Sequence, residues 1–348
     1  MVDLAALFGT RYPLIQAPMA GVQGSALAIA VGQVGALGSL PAAMLSPDAL
    51  RAELSRLREA GVPYNVNFFA HTPPAPDADA EARWRAALAP YFAELGVAAD
   101  APAGPGRAPF SAEAGEVLAA FAPPVVSFHF GLPEPDLLSR VRGWGAVVMS
   151  TATTVAEARW LAERGVDVVI AQGLEAGGHR GHFLTDDLSL EGQLPTLDLV
   201  TAVVAAVDVP VLAAGGIADA AGVRAAFAAG ASGVQVGSAF LCADEATTSP
   251  AHRAALAAGW PTALTNVFTG RPARGLVNRA IRELGGAEGL SFSPLAPKFP
   301  LAGGAMGPLR AAAEASGSLD FTPLWVGEGA APRAEPAASI VAALVGQE

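Results

Sequence analysis

The chain has 348 residues, of which 52% are hydrophobic and only 15% charged, and its formal net charge is −11. That is ample apolar material for one large α/β domain with an appendage, or for two domains, and it excludes a disordered chain. The acidic balance argues against nucleic acid and against an anionic membrane surface, since both need a basic patch.

No apolar run reaches membrane-spanning length without glycine, proline or charge, and no basic-then-apolar leader opens the sequence. A soluble cytoplasmic protein is expected. The single cysteine, Cys242, excludes an intrachain disulfide. Among the 21 basic residues only Lys298 is a lysine, so Schiff-base chemistry has one candidate, in a Pro-flanked segment away from any strand end.

Taken in order, β-branched and small apolar runs at 13–17, 35–40, 64–69, 124–130, 146–150, 166–171, 209–214 and 233–241 read as strands buried on both faces. Helical patterns alternate with them at 46–60, 111–121, 154–164, 197–207 and 219–229. Ser46-Pro47 offers a cap followed by proline in the first turn, and Thr154 with Glu157 offers a capping box. Eight strand–helix units point to a (β/α)8 TIM barrel, with an open doubly wound sheet as the alternative. Residues 71–109 read as an excursion after the third strand. The expected organisation is a barrel over 1–243, a small, mostly helical cap over 244–302, and a segment over 303–348 returning to the barrel. That last segment carries a helix at 307–315 and Leu324-Trp-Val-Gly-Glu-Gly329.

Chemistry in such a barrel gathers at the C-terminal strand ends. Those ends supply Gln16-Ala-Pro-Met-Ala-Gly21, Asn67, His129, Ser150-Thr151, Gly215-Gly216 and Gln235-Val-Gly-Ser238. The densest stretch is Gln172-Gly-Leu-Glu-Ala-Gly-Gly-His-Arg-Gly181, where four glycines give a backbone that bends sharply or approaches a flat ligand. His179 there can exchange a proton near neutral pH. Glycines after the seventh and eighth strands are where these barrels bind phosphate on backbone N–H groups. No His-x-His pair marks a metal hydrolase, no carboxylate pair a glycosidase, and the lone lysine disfavours an aldolase. What remains suits a flat, phosphate-tailed molecule such as flavin mononucleotide, with no metal.

Plainer roles stand beside these. Asn67 could cap a strand end, His129 could be a satisfied core histidine, and Met19 could simply pack. Arg271 and Arg274 could be a solvated face or could hold a substrate anion. His71 and His252 lie outside the strand ends and receive no role.

The motifs Gln16-Ala-Pro-Met-Ala-Gly21, Tyr64-Asn-Val-Asn-Phe68, Ser127-Phe-His-Phe-Gly-Leu-Pro133, Ala171 to Gly181, Ala214-Gly-Gly-Ile217 and Gln235-Val-Gly-Ser-Ala-Phe240 resemble the nitronate monooxygenase family, formerly called 2-nitropropane dioxygenases. The likeness runs from about Leu14 to Glu328. Ser127–Pro133, Gly270-Arg-Pro-Ala-Arg-Gly275 and Asn278-Arg279 are similar to the class that acts on nitronates without reduced nicotinamide. The resemblance implies FMN held by Ala17, Pro18, Met19, Asn67, Gln172, Gly177, Gly178, Gly215, Gly216, Gln235, Val236, Gly237 and Ser238. It implies His179 as the active-site histidine and His129 as a second one on the substrate side. An alkyl nitronate, propionate 3-nitronate among the candidates, would react with O2 to give a carbonyl compound and nitrite, in a monomer or homodimer. Ser238 replaces a common threonine, Glu328 a common glutamine, and Phe292 and Phe299 common tyrosines. The alternatives are an FMN-dependent NAD(P)H:quinone or enoyl-thioester reductase on the same barrel, and a non-redox phosphate-binding isomerase or lyase.

Overall fold

A computed structural model describes residues 3–98, 100–102, 106–285 and 291–347. The expected segments 1–243, 244–302 and 303–348 each include a few positions outside these described residues. In chain order the strands are β1 (Leu14–Gln16), β2 (Gly38–Pro41), β3 (Tyr64–Phe69), β4 (Val125–His129), β5 (Val147–Ala152), β6 (Val168–Gln172), β7 (Gly178–His179), β8 (Val211–Ala214), β9 (Gly233–Val236), β10 (Thr262–Thr265) and β11 (Ala273–Leu276).

Eight of them form one parallel sheet in the order β1-β9-β8-β6-β5-β4-β3-β2. Its two ends meet. Leu37 N donates to Leu14 O at 2.9 Å and Gln16 N to Leu37 O at 2.9 Å, and a parallel bridge pairs Ile15 with Leu37. The result is the (β/α)8 barrel expected from the alternating pattern, and the open doubly wound sheet is set aside.

The helices are α1 (Leu4–Phe8), α2 (Ser25–Gln33), α3 (Pro47–Ala60), α4 (Ala78–Glu94), α5 (Ala112–Phe121), α6 (Pro135–Gly143), α7 (Val155–Glu163), α8 (Thr196–Val204), α9 (Ala220–Ala228), α10 (Pro250–Ala257), α11 (Arg279–Leu284), α12 (Ala302–Ala315) and α13 (Ala337–Leu344). Ser46 caps α3 through Ala49 N, Pro47 sits in its first turn, and Leu50, Leu54 and Leu57 form its buried stripe. At α7 half of the expected capping box forms. Thr154 Oγ1 accepts from Glu157 N, but the Glu157 carboxylate turns to the N–H and hydroxyl of Thr153 and to Phe183 N. No helix among the described residues is long and apolar enough to cross a membrane.

Side chains from both faces of the strands are buried, which is why the runs are continuous rather than alternating. The barrel interior holds Ile15, Leu37, Val125, Met149, Val168, Ile170 and Leu212, and Leu4 and Phe8 of α1 pack into the same cluster. The excursion after β3 and the region after β9 share one core, in which Trp84, Leu88 and Phe92 of α4 meet Ile281, Met306, Leu309 and Phe321. Residues 244–302 hold α10, α11 and a β10–β11 hairpin that the sequence pattern did not disclose. That hairpin extends onto β7 as a three-stranded antiparallel sheet, pairing Ala273 with His179 and Arg274 with Gly178. α13 packs against α2 and α9, completing the ring of helices from the far end of the chain.

Candidate active site

The C-terminal strand ends open into a cavity of about 500 Å³. The expected flavin contacts and the two candidate histidines all line it: Ala17, Pro18, Met19, Asn67, His129, Gln172, Gly177, Gly178, His179, Gly215, Gly216, Gln235, Val236, Gly237 and Ser238.

The loop after β6 is held from several sides. Gln172 donates from Nε2 to His179 O at 3.0 Å and accepts at Oε1 from Gly181 N at 2.8 Å, so its amide closes the loop upon itself. Arg180, fully buried, donates to Gln172 O at 2.7 Å, to Gly173 O, and to Gln193 Oε1 at 2.8 Å. Burial pushes its pKa down to about 9, partly offset by Glu157 and Glu175. Glu175 in turn accepts from Thr196 N at 2.8 Å and Thr196 Oγ1 at 2.7 Å, anchoring the loop to the start of α8. Gly177 is tight for packing reasons, because a Cβ there would lie 2.5 Å from Gly327 N and from Val326 C. Gly178 differs: its φ is +70° and nothing lies within 4 Å of where a Cβ would point. Here the backbone shape, not crowding, requires glycine.

His179 projects from this loop into an aromatic setting, with its ring 5.4 Å from Phe299, 5.5 Å from Trp325 and 6.0 Å from Phe130. Its Nε2 lies 2.9 Å from Thr269 Oγ1, and Nδ1 has no partner among the described residues. Thr269 Oγ1 also sits 3.5 Å from the Arg271 carbonyl, which can only accept. The tautomer that gives Nε2–H to Thr269 leaves Nδ1 with its lone pair. Burial, reinforced by Arg107, His129, Arg271 and His71, holds the His179 pKa well below the usual histidine range, so the ring is neutral.

His129 is satisfied on both sides. Its Nε2 is 3.2 Å from the His179 carbonyl and must donate, so Nδ1 accepts from Thr151 Oγ1 at 3.0 Å. Burial and the neighbouring Arg271 lower its pKa to about 3. It therefore positions the loop and offers no free nitrogen to a substrate.

On the other side of the cavity, Gly215 and Gly216 have φ of +121° and +66°. Their N–H groups meet no acceptor among the described residues. Buried Gln235 Oε1 likewise lacks a partner. Ser238 opens a short 3₁₀ turn, Ser238–Phe240, and its Oγ accepts from Gly327 N at 2.8 Å, which leaves its proton to donate. Asn67 donates to Ser127 Oγ at 2.9 Å, and its Oδ1 meets no donor among the described residues. Two glycine N–H groups, a serine hydroxyl and unpartnered amide oxygens suit the phosphate, hydroxyl tail and ring edge of a flavin nucleotide.

Two arginines weighed as anion binders are spent elsewhere. Arg274 donates twice to Leu174 O and pairs with Glu328 at 3.2 Å. Arg271 reaches the carbonyls of Arg180 and His182 and lies 4.2 Å above the Phe130 ring. Neither is a solvated face. The sequence pattern missed Thr269, Arg107 and the way Phe69 and Phe130 join Phe299, already singled out, in a box around His71. His71 was passed over as lying beyond a strand end, yet it is 6% exposed, and its ring nitrogens have no geometrically sound hydrogen bond among the described residues. His252 also lines the cavity. Of the two cap phenylalanines, Phe299 stacks near His179, whereas no such contact brings Phe292 there.

A family model described as nitronate monooxygenase matches residues 2–347. Curated relatives named nitronate monooxygenase include one from Paraburkholderia phytofirmans, 38% identical over 98% of this chain and 93% of the relative. Another, from Pseudomonas aeruginosa, is 40% identical over 97% of each chain. Among solved structures, a nitroalkane oxidase from Streptomyces ansochromogenes superposes with a TM-score of 0.88 at 38% identity, covering 99% of this chain and 97% of its own. FabK from Thermotoga maritima superposes with a TM-score of 0.74 at 26% identity, covering 100% and 96%.

Proposed function

The chain belongs to the nitronate monooxygenase family, and from that premise we propose that it uses FMN to oxidise alkyl nitronates with O2, giving a carbonyl compound and nitrite. A cytoplasmic setting and a small-molecule substrate go with this reading. The observation that carries it is a neutral imidazole with an open Nδ1, surrounded by cations and aromatic rings, facing a glycine-lined phosphate cradle across one cavity.

A bound flavin would supply the electron transfer between the nitronate and dioxygen. The residues do the rest. Gly215, Gly216 and Ser238 would hold the phosphate, Gln235 and Asn67 would meet polar groups of the tail and ring, and Gly178 would leave the ring face bare. His179 would hold the anionic nitronate, or remove a proton at Nδ1 from a neutral nitroalkane. Phe69, Phe130 and Phe299 would exclude water from the reacting carbon.

The test begins with the visible spectrum of the purified protein, followed by a nitronate added in air without NADH. A flavin spectrum with oxygen uptake and nitrite release is the expected result. Bleaching by NADH with no response to nitronate would replace this reading with the reductase. Replacing His179 with Asn should retain flavin and lower turnover by about 10²-fold or more, the usual scale for a lost acid–base group; full activity would remove its role.

A further inference from the structure

Arg107 lies in the excursion between β3 and α5, close to the end of β3, where Phe110 N donates to Phe69 O at 2.7 Å. Its side chain lines the same cavity as His179. Among the described residues nothing neutralises it. Arg310, the other cavity-lining arginine, pairs with Glu314 at 2.7 Å. Among the described residues no carboxylate, carbonyl or hydroxyl accepts a hydrogen bond from the Arg107 guanidinium, and Arg107 enters no ion pair. Burial lowers its pKa, and the like charge of Arg310 lowers it further.

Its surroundings add positive potential. A Cβ built on Gly303 would sit 3.4 Å from Arg107 Nη1, so the guanidinium rests on the side-chain-free first turn of α12. That turn is the positive end of the helix dipole, with Gly303 N–H and Gly304 N–H already donating to Pro300 O at 3.2 Å and Leu301 O at 3.0 Å. A desolvated cation against a helix N-terminus is unfavourable unless an anion completes the site.

Resting on the nitronate reading above, we propose that Arg107 is a specificity-determining residue: it binds a carboxylate carried by the nitronate, while His179 serves the nitronate end. The planar guanidinium donates two parallel N–H bonds to a carboxylate, and the first turn of α12 favours the same charge. The sequence motif had directed an anion-binding role to Arg271 or Arg274. The structure spends both on protein carbonyls and leaves Arg107 free for it.

The experiment compares propionate 3-nitronate with propyl-1-nitronate, which has the same carbon number and no carboxylate, on wild-type enzyme, Arg107→Met and Arg107→Lys. For Arg107→Met the KM for the carboxylate substrate should rise about 10- to 100-fold, the scale of a lost charge-assisted bond, with kcat little changed. The KM for propyl-1-nitronate should change much less, through the potential at His179 alone, and Arg107→Lys should fall between. The thermal midpoint of Arg107→Met should stay level or rise, because the residue removed is an unpaired cation. Equal effects on both substrates, no effect on either, or a lowered midpoint would overturn the assignment. Calorimetric titration of unreactive propionate gives a second readout: heat with wild type, none with Arg107→Met. Should neither nitronate turn over, the functional reading fails while this titration still decides the role of Arg107, and equal propionate binding by both proteins overturns it.

Discussion

Gln172 separates two accounts of the loop after β6. If it is chiefly a flavin contact, its loss weakens cofactor binding; if it is chiefly a clamp, its loss loosens His179. The geometry favours the clamp, since both ends of the amide are engaged inside the loop. Replacement by Leu removes both bonds. Gly181 N–H then has no acceptor in a buried position, which costs about 1–3 kcal/mol, and the lost bond to His179 O costs about 1 kcal/mol more. The second cost is the smaller because His129 Nε2 still donates to that carbonyl at 3.2 Å. Gln172→Leu should therefore lose about 2–4 kcal/mol in urea unfolding, with turnover per bound flavin reduced.

Gln172→Glu sharpens the test. A carboxylate can accept from Gly181 N–H but places its second oxygen against the His179 carbonyl, where only a protonated carboxyl can donate. Its folded pKa is thereby raised above the ordinary value of about 4.3. A raised carboxyl pKa means stability present at low pH and lost as pH rises. The deficit relative to wild type at the same pH should therefore widen toward neutrality and narrow in acid. Wild-type stability at pH 7 in either variant, coupled with loss of flavin alone, would refute the clamp and restore the cofactor role.

The remaining predictions concern the ring and its supports. Thr269→Val removes the hydroxyl 2.9 Å from His179 Nε2 and should lower kcat/KM roughly tenfold or more, shifting its pH profile, whereas Thr269→Ser should retain both; an unshifted profile in the Val variant would exclude the positioning role. Gly177→Ala forces a Cβ to 2.5 Å from backbone atoms of Val326 and Gly327 and should cost several kcal/mol, while Gly178→Ala meets only backbone strain of about 1–2 kcal/mol at φ +70°. Equal melting of the two variants would contradict that difference. Four buried histidines have depressed pKa values, His71 and His252 at about 4 and His129 and His182 at about 3, each with burial as the main cause. Unfolding lets them bind protons near pH 6.5, so stability should be fullest above 6.5 and fall as pH drops toward 4; a flat acid limb in thermal scans would show that they are not held neutral.

The barrel and the glycine-lined strand ends were legible because each depends on local pattern. Continuous Val, Ile and Ala runs mark strands buried on both faces, and paired glycines at two strand ends mark open N–H groups. The cap was less legible. Residues 262–276 contain Thr, Ala, Leu, Arg and Gly without clean alternation, because the hairpin is buried on both faces and its partner is a two-residue strand nearly a hundred positions earlier. Thr269 carries no motif of its own; its use follows only from that pairing. Arg107 was invisible for a similar reason, since its Pro- and Ala-rich surroundings read as surface. Only the packing of α4 against α12 turns that excursion inward. Conversely, the strand-end rule excluded His71, which lies two residues past Phe69 and folds back over the barrel mouth.

These same contacts bear on how the cap works. His179 is fixed at three points: its carbonyl by Gln172 and His129 from the barrel, its backbone by Ala273 of β11, and its ring by Thr269. Two of the three come from the cap. Were the cap to swing away as a lid, it would break the β11–β7 ladder, release the imidazole and expose Arg180, whose backbone N–H donates to Pro272 O at 2.8 Å. Trp84 Nε1 to Ala302 O at 3.2 Å, together with the ion pair of Arg279 and Glu94, ties the excursion to the same body. The cap is therefore a wall of the active site that completes the histidine's geometry. Variation in substrate preference within this architecture should come from side chains such as Arg107 and Phe299 that line or back the cavity, with the hairpin and loop held constant.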